Sequence, residues 1–158
     1  MRISNNQNLK QINGLRNIAS ITGSLLITQT GIENIDALSK LTTLEGDLTV
    51  HSPGSSMADV EGLRNLTEIN GNLRLSQFYT LPNIDGLREV SKINGSLTIS
   101  SNVHLNNIDA LSKLTTLDGL LHIGLNRELV SIEGLSNCLL YTSPSPRDQR
   151  GSRMPSSA

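Results

Sequence analysis

The chain has 158 residues, enough for one domain, and its formal net charge at pH 7 is −1. Residues 1–137 contain ten Lys and Arg against thirteen Asp and Glu, a net of −3, and the whole chain has one Phe, two Tyr and no Trp. A mildly acidic chain without aromatic platforms argues against nucleic-acid binding, and no apolar run approaches the roughly 20 residues that a membrane-spanning helix needs. Cys138 is the sole cysteine, which excludes a disulfide framework and a cysteine-based metal cluster.

The sequence repeats itself with a period close to 24 residues. Ile3 already occupies the strand position of a unit whose upstream half is missing, so we expect the chain to begin inside a repeat. A Gly then recurs at intervals of 23, 25, 24 and 24 residues, at Gly23, Gly46, Gly71, Gly95 and Gly119. An aliphatic-polar-Gly/Ala-Leu step also recurs, ending at Leu15, Leu38, Leu63, Leu87, Leu111 and Leu135. Fixed periods of this length indicate a solenoid, in which each unit buries its apolar face against its neighbours.

Each unit contains seven apolar positions, most of them three residues apart, as in Leu105, Ile108, Leu111, Leu114, Leu117, Leu121 and Ile123. Steps of three fit a coil with tight corners and short 3₁₀ turns better than a long helix or strand. The last step alternates, as in Leu97-Thr98-Ile99, which predicts a short strand with two side chains inward and one outward. The Gly before each strand is predicted to take a positive φ at a corner. The segments that vary in length, Thr28–Gly31 and His51–Ser56, are predicted to be surface loops.

An acidic column precedes the Gly/Ala-Leu steps, with Asn13 at this position in the first unit, and comprises Asp36, Glu61, Asp85, Asp109 and Glu133. We expect each acid to cap a short helical turn through its side chain. A base three or four residues later is expected to offset the charge, in the pairs Asp36–Lys40, Glu61–Arg64, Asp85–Arg88 and Asp109–Lys113. As an alternative, carboxylates stacked about 4.8 Å apart could form a calcium-binding ladder.

Asparagine recurs at two kinds of position. One lies seven residues after the corner Gly and gives the column Asn6, Thr30, Pro53, Phe78, Asn102 and Asn126. We expect its asparagines to form a buried ladder that satisfies corner backbone groups. The other kind is the acceptor pattern for N-glycosylation, which Asn65 and Asn94 begin and which matters in a eukaryotic secretory setting.

The outward side chains of the strands form the candidate binding surface. In repeat register the central column is Leu26, Thr49, Arg74, Thr98 and His122, and the flanking column is Ser24, Asp47, Asn72, Ser96 and Leu120. Such faces often bind ligands because neighbouring side chains lie at fixed spacing on a rigid platform, and a solvated polar sheet is the competing interpretation. The candidate binding residues are Asp47, Thr49, Asn72, Arg74, Thr98 and His122, which suit a polar protein or glycan ligand.

The histidines do not converge on one site. His122 faces outward from the centre of a strand, His51 lies at a strand end and His104 lies in the following loop. No cysteine shares a column with them, and no Ser/His/Asp set can be argued from the spacing. We therefore predict no metal site, no cofactor and no catalytic residues.

INGSLTISSNVHLNNIDALSKL, residues 93–114, carries the full repeat pattern, and iteration extends it over residues 3–137. This pattern resembles the receptor L-domain, a family related to leucine-rich repeats that occurs in growth-factor-receptor ectodomains, fungal wall proteins and bacterial surface proteins. The chain looks more like the long cysteine-free microbial arrays than the disulfide-capped receptor modules. The resemblance implies a right-handed single-chain β-solenoid, here of about five and a half coils, used for extracellular recognition or adhesion without catalytic residues.

The pattern holds through Leu135 and ends at Cys138, from where the chain is rich in Ser, Pro and Arg. This composition predicts a disordered tail. The segment Cys138–Asp148, CLLYTSPSPRD, also resembles the conceptual translation of a sequencing adapter. We therefore divide the chain into a repeat domain, residues 1–137, which we expect to be truncated at both ends, and a tail, residues 138–158, with no assigned function.

These features favour a noncatalytic ligand- or cell-surface-binding module of a larger secreted or surface protein. The alternative is a structural spacer whose faces bind nothing specific, and a remote alternative is a carbohydrate-active enzyme on a parallel β-helix. The expected partner is a protein or a glycan, with no nucleic acid and no membrane insertion. The expected location is extracellular or at the cell surface.

Overall fold

The computed structural model describes residues 1–51, 53 and 57–140, and this part of the chain is mainly β, with parallel strands in two sheets. Sheet 1 contains, in spatial order, β1 (Arg2–Asn6), β3 (Leu25–Thr30), β5 (Leu48–His51), β7 (Leu73–Ser76), β9 (Leu97–Ser100) and β11 (Leu121–Gly124). Sheet 2 contains β2 (Ser20–Ile21), β4 (Thr43–Leu44), β6 (Glu68–Ile69), β8 (Lys92–Ile93), β10 (Thr116–Leu117) and β12 (Leu139–Leu140). Short 3₁₀ turns, η1 to η6, span Asn13–Leu15, Asp36–Leu38, Glu61–Leu63, Asp85–Leu87, Asp109–Lys113 and Glu133–Leu135.

The strands of sheet 1 align repeat by repeat. Leu25 lies beside Leu48, followed in the same line by Leu73, Leu97 and Leu121. A connection between parallel strands must cross over from one end of the sheet to the other, and here the rest of each repeat, with its 3₁₀ turn and its sheet 2 strand, provides that connection. The prediction that like positions of successive repeats lie side by side is therefore confirmed for sheet 1.

The predicted apolar positions form the core. In one central repeat all seven side chains have no exposed area, namely Leu81, Ile84, Leu87, Val90, Ile93, Leu97 and Ile99. A 3₁₀ turn has three residues per turn, so a step of three returns a side chain to the same side of the backbone. Full burial of a Leu or Ile side chain contributes roughly 1.5–3 kcal/mol, which makes these stacked columns the main source of stability.

The corner glycines are needed for close packing, and the prediction of a positive φ is wrong. None of them has a φ between +20° and +160°. A Cβ on Gly95 would lie 2.6 Å from the carbonyl carbon of Gly71, because the glycines of successive repeats stack on one another. The left-handed conformation falls instead within one residue of the last residue of sheet 1 strands, with φ values from 50° to 61° at Asn5, Gln29, Gln77, Ser101 and Leu125.

The 3₁₀ turns are capped two positions before the predicted acids. Each acid is the first residue of its turn, and the Ile or Val before it makes no side-chain capping bond. The backbone N–H of each acid donates, over 3.0–3.3 Å, to a side-chain oxygen two residues earlier, on Asn34, Asp59, Asn83, Asn107 and Ser131. The prediction of capping by the acids is therefore wrong, because an Asx-type or Ser turn already supplies the acceptor.

Ion pairs join successive repeats, and none of the four predicted pairs within a repeat forms one in the described residues. Arg88 Nη1 lies 3.1 Å from Glu61 Oε1 of the preceding repeat, and Lys113 Nζ lies 2.7 Å from Glu89 Oε2. Most of these 3₁₀ turns end after three residues, so the spacing of four residues that supports ion pairs on an α-helix is not formed. The neighbouring repeat, about 4.8 Å away, supplies the partner instead.

The asparagine ladder is present in the later repeats. Asn102 has no exposed area, and its Oδ1 accepts a hydrogen bond of 3.1 Å from the backbone N–H of Phe78. Asn126 Oδ1 accepts a bond of 3.0 Å from the backbone N–H of Asn102. Asn6 is exposed and donates to the carbonyl oxygen of Ser4. The prediction is therefore confirmed for Asn102 and wrong for Asn6, and Asn126 makes the ladder bond but is only half-buried.

The structure differs from the sequence prediction in a predicted loop and at the start of the predicted tail. The segment Thr28–Gly31 is not a surface loop, since β3 runs to Thr30 and that threonine is buried. In the predicted tail, β12 pairs in parallel with β10. Residues 141–158 of that tail, and residues 52 and 54–56 of the other predicted loop, lie outside the described residues.

The outer repeats are less buried than the central ones. Leu121 and Ile123 of β11, an edge strand of sheet 1, are partly exposed, whereas Leu73 and Leu75 of β7 have no exposed area. We expect the backbone amides of β1 and β11 to exchange hydrogen faster than those of β7, because an edge repeat can open without disrupting the stack. Peptide-resolved hydrogen exchange on the 158-residue chain would measure this. Equal protection from the first repeat to the last would contradict the expectation.

Candidate binding face

The candidate binding face is the outer surface of sheet 1. Side chains alternate along each strand between the core and this surface, so the residue between two core positions points outward. The strand register lines up Arg2, Leu26, Thr49, Arg74, Thr98 and His122 across the sheet. The predicted central column is therefore confirmed, with neighbours about 4.8 Å apart, and Arg2 extends it to β1.

The flanking column is a hydrogen-bond ladder between repeats. Ser24 Oγ accepts a bond of 3.0 Å from the backbone N–H of Asp47, and Asp47 Oδ1 accepts one of 2.8 Å from that of Asn72. The ladder continues from Asn72 Oδ1 to the N–H of Ser96 (2.8 Å) and from Ser96 Oγ to that of Leu120 (3.0 Å). Two candidate binding residues, Asp47 and Asn72, thus use side-chain oxygens to join repeats. The side chains of the central column are better placed for ligand contact.

A buried serine links Arg74 to His51. Ser76 is 1% exposed, lies two residues after Arg74 on β7, and aligns with His51 of β5. Its Oγ is 3.0 Å from His51 Nδ1 and 3.4 Å from Arg74 Nε. A hydroxyl can donate one hydrogen bond and accept others, so Ser76 can donate to a neutral His51 while it accepts from Arg74.

The electrostatics of this network favour a neutral imidazole at neutral pH. Burial, and to a smaller extent the positive charge of Arg74, lower the pKa of His51 below its ordinary value of 6.5. The repeat pattern did not predict this network. Alternation along a strand places Ser76 on the same face as Arg74, but it does not specify which contacts the serine makes.

The other two histidines do not join this network, as predicted. His104 Nδ1 lies 2.9 Å from Glu128 Oε1 of the next repeat. His122 is exposed at the centre of β11, and a Cβ added to Gly124 would lie 3.3 Å from its Nε2. In residues 1–51, 53 and 57–140, no group of three or more His, Cys, Asp or Glu side chains could hold a metal ion. The calcium ladder, the alternative for the acidic column, gains no support.

The two candidate glycosylation residues both bind the preceding repeat. Asn65 Nδ2 donates to the carbonyl oxygen of Ser39 and Asn94 Nδ2 donates to Asn70 Oδ1, each over 2.6 Å. Asn65 is exposed, whereas Asn94 is half-buried and its Oδ1 is inaccessible. A glycan at either position would displace a bond between repeats, and exposure favours Asn65. Glycosylation at both residues stays a prediction.

The chemistry that this face offers is hydrogen bonding and charge. Arg74 and His122 are exposed, and Thr49 and Thr98 are half-buried beside Arg74. His51 and Ser76 form a hydroxyl–imidazole pair, but at 1% exposure the serine cannot be reached by a substrate carbonyl. The arrangement therefore suits recognition of a polar ligand better than nucleophilic catalysis.

In a comparison with known protein families, the family model of the receptor L domain matches residues 1–66. The resemblance to the receptor L domain is confirmed over that segment. Receptor L domains are generally noncatalytic ligand-binding modules in the extracellular regions of receptors.

The receptor L domain match covers the strands from β1 to β5 and the turns η1 to η3. The later strands of sheet 1 continue the same register beyond it. A search of curated proteins found no match. Among the described residues, no helix has the length and apolar character needed to cross a membrane.

Proposed function

We propose that the chain is a noncatalytic ligand-binding module whose ligand, a protein or a glycan, contacts the outer surface of sheet 1. The observation that carries this proposal is the in-register central column, in which Thr49, Arg74 and Thr98 lie side by side on adjacent strands. A sheet buttressed by a fully buried core holds such side chains at fixed spacing, which reduces the ordering cost of binding. The receptor L domain match over residues 1–66 supports a ligand-binding role.

We also propose an architecture and a cellular location for the chain. Residues 1–137 form a right-handed single-chain solenoid of about five and a half coils, and residues 138–158, which begin with the β12 strand that pairs with β10, are assigned no function. The module works outside the cell or at its surface, as part of a larger secreted or surface protein. Its ligand contacts are Thr49, Arg74, Thr98 and His122, with Asp47 and Asn72 holding neighbouring repeats in place.

A structural spacer is the second candidate, and one observation favours it. The hydroxyls of Thr42, Thr67, Ser91 and Thr115 each donate to a carbonyl oxygen of the preceding repeat, over 3.2–3.3 Å. This exposed column joins repeats along a second line, in addition to the ladder that starts at Ser24. Bonds of this kind stiffen the stack lengthwise, as a spacer requires.

A bulky substitution at the centre of the face tests the binding proposal. Thr98→Trp is expected to weaken binding of any ligand found on a glycan and protein array by roughly tenfold or more, because the indole would occupy the contact surface. Thr116→Trp is the matched control, a half-buried threonine on β10 of sheet 2, and should bind like the parent. Unchanged binding by Thr98→Trp would exclude the centre of sheet 1 as the contact surface. An array without ligands would favour the spacer, and turnover of a polysaccharide would favour the enzyme.

A further inference from the structure

Arg74 lies at the centre of a row of hydrogen-bond donors on sheet 1. Its strand, β7, is flanked by β5 and β9, which place Thr49 and Thr98 directly beside it. Its Nε contacts the buried Ser76, which restrains the side chain near the sheet surface. In the described part of the chain, Nη1 and Nη2 have no hydrogen-bond partner, so two NH₂ groups of the guanidinium are available to a ligand.

The charge environment of Arg74 differs from that of Arg88. Arg88 pairs with Glu61 at 3.1 Å, whereas Arg74 forms no ion pair with a described residue. On the outer surface the acid diagonal to it in the register is Asp47, whose Oδ1 already accepts two hydrogen bonds of 2.8 Å from Asn72. The imidazole of His51 lies on the other side, joined through Ser76. Among the described residues, Arg74 is therefore a cation without an ion-pair partner, on a protein of net charge −1.

We infer that Arg74, positioned by Ser76 and assisted by His51, binds a carboxylate of an acidic glycan while Thr49 and Thr98 bind its hydroxyl groups. A planar guanidinium matches a carboxylate with two parallel hydrogen bonds. Hydroxyls on both sides of the charge fit a sugar, which carries hydroxyls beside its carboxylate. Asp47 would repel a densely charged polyanion, which favours a ligand with one charge per sugar. This inference rests on the proposed function and names the ligand class for the same face.

The test compares a galacturonate oligosaccharide with its carboxyl-reduced, neutral form by titration calorimetry at low salt, using the 158-residue chain. The parent should bind the acidic oligosaccharide roughly tenfold or more tightly than the neutral one, since a charge-assisted pair is lost. Arg74→Gln should remove this difference, and Arg74→Lys should retain part of it. Arg16→Gln, which changes another exposed arginine, on the turn side of the repeat, should bind like the parent.

Measuring the affinity at several pH values tests the role of His51. Its neighbours on β3 are uncharged, and the charged side chain that acts on its ring is Arg74 from β7, whereas Asp47 precedes β5 and bonds to Asn72. Because its pKa lies below the ordinary value of 6.5, the ring gains its charge as the pH falls from about 6.5 to about 4.5, while a sugar carboxylate stays mostly ionised. Affinity for the acidic oligosaccharide should therefore rise over this interval. His51→Gln should abolish the rise, and His104→Gln should preserve it.

Several outcomes would overturn the inference while leaving the proposed function in place. They are equal binding of the acidic and neutral oligosaccharides, unchanged binding by Arg74→Gln, or equally tight binding of poly-glutamate, which would indicate an acidic peptide. Absence of binding to the acidic oligosaccharide would also overturn it, and the effect of Thr98→Trp on any other ligand would then decide the proposed function separately. Melting curves of each variant exclude loss of folding, since Arg74 is exposed.

Discussion

Replacing Leu111 by Asp is expected to destabilise the protein by at least about 4 kcal/mol, because the new carboxylate would be buried without a partner. Leu111 has no exposed area and lies in η5, in the column that contains Leu38, Leu63, Leu87 and Leu135. Domains of ordinary stability unfold with about 5–15 kcal/mol, so a loss of about 4 kcal/mol would remove roughly a quarter to four fifths of that stability. Urea unfolding followed by circular dichroism measures the change in midpoint.

Leu120→Asp is the matched control for this substitution. Leu120 is 78% exposed, so the same chemical change should alter the free energy of unfolding by no more than about 0.5 kcal/mol. Leu111→Ala should fall between the two, with a loss of about 2–5 kcal/mol from a cavity without a charge. If Leu111→Asp and Leu120→Asp unfolded at the same urea concentration, the assignment of Leu111 to a buried column would be wrong.

The core residues could be predicted because the same apolar pattern recurs in each repeat. A residue such as Leu87 is identified by its place in one repeat, and the same place holds Leu in five other repeats. Burial at each of these positions can be predicted without knowing which residues contact it, since a 3₁₀ turn returns the chain to the same side every three residues. The receptor L domain match agrees with this pattern over residues 1–66.

Contacts between repeats could not be predicted in the same way. Glu61 and Arg88 are 27 residues apart, and pairing them requires the lateral offset between adjacent repeats as well as the repeat period. The spacing rule for an α-helix predicts the pair Glu61–Arg64 instead. In the structure Arg64 Nη1 donates to the backbone oxygen of Glu61 over 3.3 Å. The rule failed because the turn is too short to bring the two charged groups together.

The positions of the candidate binding residues were predicted from the sequence, but their side-chain contacts were not. Alternation along the strand and a common register are sufficient to place Arg74 beside Thr49 and Thr98. The contact of Ser76 with both Arg74 and His51 depends on rotamers and burial, which a sequence pattern does not specify. The ladder role of Asp47 was missed for the same reason, although small oxygen-bearing side chains at that position in four successive repeats were a signal.

The corner glycine Gly95 cannot accept a methyl group without moving backbone of the preceding repeat. A Cβ there would lie 2.6 Å from the carbonyl carbon of Gly71 and 2.7 Å from Asn72 Oδ1, the atom that accepts the Ser96 N–H. We expect Gly95→Ala to cost about 1–3 kcal/mol, measured as a shift in the urea midpoint. Gly23→Ala is the control: it occupies the same column, nothing lies within 4 Å of its Cβ position, and its φ is also not left-handed. That substitution should be neutral or stabilise by about 0.4–1 kcal/mol, because it restricts the unfolded chain. Equal destabilisation by both would show that backbone conformation, not stacking of one repeat on the next, requires glycine at these corners.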